Sequence, residues 1–68
     1  MELETLINAL HRKSPVILLR PLEGDLRFKE IIEITPKFDK NGEPDYTATV
    51  VDVAGNVYHV RARELELA

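Results

Sequence analysis

The sequence has no cysteine, no tryptophan, a single serine and no long apolar run. Without cysteine there is no disulfide framework and no thiolate zinc site, the staples on which small domains often rely. No stretch approaches the roughly 18 apolar residues that a membrane span needs. An excess of positive charge is also missing: 9 Lys and Arg face 12 Asp and Glu, for a net charge of −3. Proteins that hold nucleic acid through its phosphates usually concentrate positive charge, so nucleic acid is disfavoured as a partner. The start, with Glu2 and Glu4, lacks the basic opening and apolar core of a signal peptide, and the chain reads as cytoplasmic. With 68 residues it reads as one domain, 1–68, too short for a dinucleotide-binding fold or a TIM barrel.

Chemical motifs are missing too. There is no P-loop, no glycine-rich dinucleotide pattern, no GxSxG elbow, no EF-hand loop and no HExxH. The glycines at 24, 42 and 55 each stand alone in a turn. Asp39-Lys40-Asn41-Gly42-Glu43 lacks the ligand spacing and closing glutamate of a calcium loop. These gaps argue against an enzyme and call for no cofactor, no metal and no catalytic residue.

What is present is a well-sorted set of apolar residues, 44% of the chain. Leu3, Leu6, Ile7 and Leu10 recur at helical spacing and predict a helix over 2–13. Glu2 and Glu4 favour its positive end; His11, Arg12 and Lys13 favour its negative end, and Pro15 closes it. The expected partner of this stripe is the protein's own sheet. Residues 16–67 read as mostly β, with a loop at 36–45. Val16 to Leu19 is a short strand, with Pro21 placing its end at a sheet edge. Glu23-Gly24-Asp25 reads as a turn. Residues 26–35 read as a strand, on the strength of three isoleucines, with a bulge near Glu30-Ile31. A helix over 26–34 is the alternative. In the loop, Phe38 is expected to fold back onto the core or to stand out as a contact residue.

Residues 46–53 and 57–62 predict a hairpin. A two-residue turn at Gly55-Asn56 pairs Val53 with Tyr58, Val51 with Val60 and Thr49 with Ala62 on one apolar face. Asp52 then faces His59, and Val50 faces Arg61, on the outside. The expected inner face holds Val16 or Ile17, Leu18, Phe28, Ile32, Ile34, Val51, Val53, Tyr58, Val60, Leu65 and Leu67. The outer face collects Tyr46, Val50, Val57, His59, Arg61 and Arg63 as candidate partner-binding residues. Tyr and Arg are enriched at the energetic centres of protein interfaces. The Asp52–His59 pair lacks a nucleophile and reads as an ordinary cross-strand contact.

The order helix, strand, long bent strand, loop, hairpin and short last strand resembles the small five-stranded SH3-like and Sm-like barrels. Ala54-Gly55 in a hairpin and the ending Arg63-Glu64-Leu65-Glu66-Leu67 look like such barrels as well. The RNA-contact signatures of the Sm families are not recognisable, so the resemblance implies architecture and no functional residues. The expected fold is α+β: an N-terminal helix packed on a five-stranded, strongly bent antiparallel sheet or small SH3-like/Sm-like barrel. The expected function is a non-catalytic interaction module that binds protein, including a second copy of itself as a homodimer, with no membrane partner. The alternative is a small-barrel nucleic-acid-binding protein that uses the outer face of the 46–62 hairpin.

Overall fold

One helix and six short strands follow one another in a computed structural model that describes all residues, 1–68. They are α1 (Leu3–Arg12), β1 (Val16–Leu18), β2 (Leu26–Phe28), β3 (Glu30–Thr35), β4 (Thr47–Val51), β5 (Val57–Arg61) and β6 (Leu65–Leu67), with a 3-10 turn at Ala62–Glu64. The class is α+β, as expected, and residues 26–34 are strand rather than helix. The strands form two antiparallel three-stranded sheets, β2-β1-β6 and β3-β4-β5. A five-stranded sheet closed as a barrel is not what forms.

Two interruptions explain the split. Lys29 breaks the 26–35 segment, so β2 pairs with β1 while β3 pairs with β4. The Lys29 N–H still reaches the Val51 carbonyl at 2.7 Å, which fixes the bend. The 3-10 turn at Ala62–Glu64 then parts β5 from β6, and no ladder joins the two sheets. β1 lies at the centre of the first sheet, not at an edge: it ends at Leu18, so Pro21 never enters the ladder. The turn that follows spans Arg20 to Gly24, whose N–H donates to the Arg20 carbonyl at 3.0 Å.

α1 packs on β3 through Leu6 and Ala9, both buried, with Leu10 and Met1 half-buried beside them. The small side chain of Ala9 lets the helix approach closely and rotates the buried line, leaving Leu3 and Ile7 partly exposed. Lys13, in the left-handed conformation at φ 54°, ends the helix. The N–H groups of Lys13 and Ser14 return to Leu10 and Ala9, which satisfies carbonyls that the last turn would otherwise leave free.

The core is a single cluster of Leu6, Ala9, Val16, Phe28, Ile31, Ala48, Val50, Ala62 and Leu65. Phe28, Leu65 and half-buried Leu18, Ile34 and Val60 match the expected inner face. Ile32, Val53 and Leu67 do not, being 47%, 92% and 52% exposed. For Ile32 the cause is the bulge, which lies between Ile31 and Glu33, adjoining the expected Glu30-Ile31. The slip turns Ile31 inward and Ile32 outward. Replacing Ile31 with Ala should therefore cost about 2–5 kcal/mol. Replacing Ile32 with Ala should cost less than about 1 kcal/mol. Urea titrations of the two variants check this, and equal losses would contradict the bulge.

Candidate functional site

The β4–β5 hairpin turns on one carboxylate. Asp52 Oδ1 accepts the N–H groups of Ala54 and Asn56, each at 2.9 Å, and the Asp52 N–H donates to the Asn56 carbonyl at 3.0 Å. The Gly55 N–H donates to the Asp52 carbonyl at 3.1 Å, and Gly55 sits at φ 87°. This is a three-residue loop, Val53 to Gly55, built as a type I turn and a left-handed glycine. The expected two-residue turn at Gly55-Asn56 is therefore replaced, because the Asp52 side chain recruits the backbone before Gly55 can act as a first turn residue. Val51 pairs with Val57, Val50 with Tyr58, Thr49 with His59, Ala48 with Val60 and Thr47 with Arg61.

That register sorts the candidates. Val50 is fully buried and is not a contact residue. Tyr46 is half-buried against the core and Tyr58 packs on Phe28, with ring centroids 5.6 Å apart. Val57, His59 and Arg61 do share the outer face of the second sheet and are exposed. The strand opposite is the one that inverts: Thr47, Thr49 and Val51 join them in place of Tyr46 and Val50. His59 pairs with Thr49, not Asp52; its Nδ1 lies 3.0 Å from Thr49 Oγ1, and the ring tautomer sets which of them donates. From β3 the same face receives Glu30, Glu33 and Thr35, the partners of Val51, Thr49 and Thr47.

The 36–45 loop extends this face. Asp45 N–H donates to the Lys37 carbonyl at 2.7 Å, and Phe38 bridges to Pro44, so the β3–β4 ladder runs on to a tip at Asp39–Glu43. The tip repeats the Asp52 turn. Asp39 Oδ1 accepts the Asn41 and Glu43 N–H groups at 2.8 and 2.9 Å, and the Gly42 N–H donates to the Asp39 carbonyl at 3.0 Å. One oxygen of the Asp39 carboxylate is thus held by the backbone of its own turn. Phe38 does not return to the core: it is 69% exposed.

Where this tip overhangs β5, a cleft of about 390 Å³ opens. Lys37, Lys40, Arg61 and Arg63 line it, with Thr47 and Phe38. Four of the nine cations in the chain meet here, against two of its twelve carboxylates, Asp39 and Asp45. Arg63 lies 3.9 Å from Asp45; Lys37, Lys40 and Arg61 have no ion-pair partner. Lys37, Phe38, Lys40 and Thr47 escape a reading that treats the loop as a separate excursion. Their signal is the Asp-x-x-Gly spacing at 39–42, which marks a hairpin tip and hence continues the strands around it. No group of three or more metal-ligating side chains occurs, and no helix is long and apolar enough to cross a membrane.

No family model, curated protein or solved structure matches this chain.

The Asp52 turn has a pH signature. The Asn56 backbone N–H does most to hold this carboxyl below its ordinary 3.8; partial burial opposes it, while the Asn56 side chain, the Ala54 N–H and the Tyr58 hydroxyl add to the lowering. A folded-state value below the unfolded one contributes stability above the unfolded value, lost as pH falls through the folded one. Asp52→Asn should therefore lower the urea midpoint at neutral pH, and the gap from the parent should shrink progressively below pH 3.8. A gap independent of pH would refute the assignment.

Proposed function

We propose that the chain is a non-catalytic interaction module that binds protein, a second copy of itself included, through the outer face of β3-β4-β5. The observation that carries this reading is the composition of that face. Exposed Val57, His59 and Arg61 run along one strand and lead into the cleft of Lys37, Arg61 and Arg63, with nothing of the chain packed over them. β5 is moreover an outer strand, so alternate backbone N–H and C=O groups along it have no partner in the sheet. Such an edge accepts a further strand, and Arg is among the residues enriched at interface centres.

Nucleic acid is the second reading, favoured by one observation: exposed Phe38 lines the same cleft as four cations, and aromatic and cationic side chains together are used to stack and clamp single strands. The overall charge of −3 weighs against it. A photo-crosslinking amino acid in place of His59, in the cells that make the protein, separates the two. The expected result is a protein adduct, either another chain or a doublet of this 7.8 kDa one, absent when the crosslinker replaces Glu23 in the distant turn. Adducts that vanish on nuclease treatment, or none at all, would overturn the protein-binding reading.

A further inference from the structure

We propose that the cleft between the 36–45 tip and β5 binds an acidic segment of the protein partner, seated with carboxylates on Arg61, Arg63 and Lys37 and an apolar side chain against Phe38. This rests on the protein-binding reading above and says what the partner presents.

Charge complementarity carries it. The cleft holds four cations and two carboxylates in a chain whose net charge is −3, so its local sign is opposite to that of the molecule. The two carboxylates do not cancel it. Asp39 and Asp45 keep their charges and offset two of the four cations, which leaves a surplus of two; one Asp39 oxygen is held by the Asn41 and Glu43 N–H groups, and Asp45 lies 3.9 Å from Arg63. Arg61 and Lys37 make no ion pair, so their donors are free for a ligand. A guanidinium presents a planar fork of donors that matches a carboxylate with two hydrogen bonds.

The face beyond the cleft tells a peptide from a nucleic acid. Moving along β5 from Arg61 to His59 to Val57, the outer face passes from cations to the Thr49–His59 pair and then to the Val51–Val57 row. Four residues of strand separate Arg61 from Val57, about 13 Å at strand rise. An extended segment lying along β5 therefore meets cations at one end and apolar side chains at the other. An acidic peptide with an apolar residue about four positions away satisfies both. A nucleic acid carries a phosphate at every step and would bring one over the valines and near Glu30 and Glu33 of the same face.

Fluorescence anisotropy with a defined probe tests the assignment. The probe is a fluorescein-labelled ten-residue peptide with three adjacent Asp or Glu, one Phe beside them and a Val about four positions beyond, the rest Ser and Gly; the comparators are the same peptide with Asn and Gln in place of the acids, and a ten-nucleotide oligouridine. The acidic probe should bind at least tenfold more tightly than the amide peptide. Affinity should fall at least tenfold in the Lys37→Gln/Arg61→Gln double variant and about threefold in Phe38→Ser. It should stay within twofold in Arg27→Gln, which neutralises an exposed cation on the other sheet. Circular dichroism of each variant confirms that loss of binding is not loss of fold. Equal binding of the amide peptide, equal loss in Arg27→Gln, or tighter binding of oligouridine through the same residues would overturn the proposal. A protein adduct at position 59 without acidic-probe binding overturns this inference and spares the module reading. Probe binding without any adduct supports the acidic preference of the cleft while removing the module reading.

Discussion

The Asp52 carboxylate decides which half of the hairpin is inside. By gathering the Ala54 and Asn56 N–H groups it closes a three-residue loop, and the loop length sets the register of everything after it. Side chains alternate along a strand, so an odd shift between strands inverts one of them against the other. With this register Ala48 and Val50 enter the core, while Thr47, Thr49 and Val51 take the opposite face, where Thr49 is itself buried beside His59. Tyr58 is drawn to the inner side, where its ring meets Phe28 and its hydroxyl donates to Asp52 Oδ2 at 3.4 Å. The turn, the Phe28–Tyr58 contact and the outer face are thus one coupled arrangement.

The same constraint acts twice. Asp39 and Gly42 stand in the relation of Asp52 and Gly55, with the same donors, acceptors and sign of φ. Two hairpin tips with the same backbone hydrogen-bond pattern flank β4, which is the central strand and the most buried one. The molecule is only 18 Å thick in its shortest dimension, room for one layer of core. A layer this thin tolerates little ambiguity of register, because each residue turned the wrong way is a sizeable share of the apolar area available. Two side-chain-locked turns supply the register that a larger core would enforce by bulk.

Much of this was legible in the residues. The helix, the strand character of 26–35 and the positions of the loops follow from apolar spacing and from proline and glycine placement. So does the outward direction of Val57, His59 and Arg61, because the β5 alternation is strong. Three features were not legible from pattern alone. Asn-Gly and Gly-Asn are familiar hairpin pairs, and they drew attention from the aspartate three residues before each glycine, whose side chain competes with the backbone for turn donors. Strict alternation puts Ile32 with Phe28 and Ile34 on the inner side, and only the register shift between Ile31 and Glu33 turns Ile31 inward instead. The break at Lys29 is a tertiary feature, set by the Val51 carbonyl on another strand. The cleft was missed for the first of these reasons: once 39–43 is a hairpin tip, Lys37 must sit across Asp45 and beside Arg63.

A cationic cleft on an acidic chain has a consequence for how a partner arrives. The net charge of −3 repels an acidic segment at long range. At physiological ionic strength, however, that repulsion is screened beyond about 8 Å. The molecule is 35 Å long, so an approaching segment within reach of Arg61 and Lys37 is insulated by salt from most of the carboxylates. Recognition is then decided at contact by the cleft's own cations, and it weakens as salt rises. That suits a short acidic segment. A long polyanion extends past the cleft into the range of Glu30 and Glu33 on the same face, and there meets the repulsion that a short segment avoids.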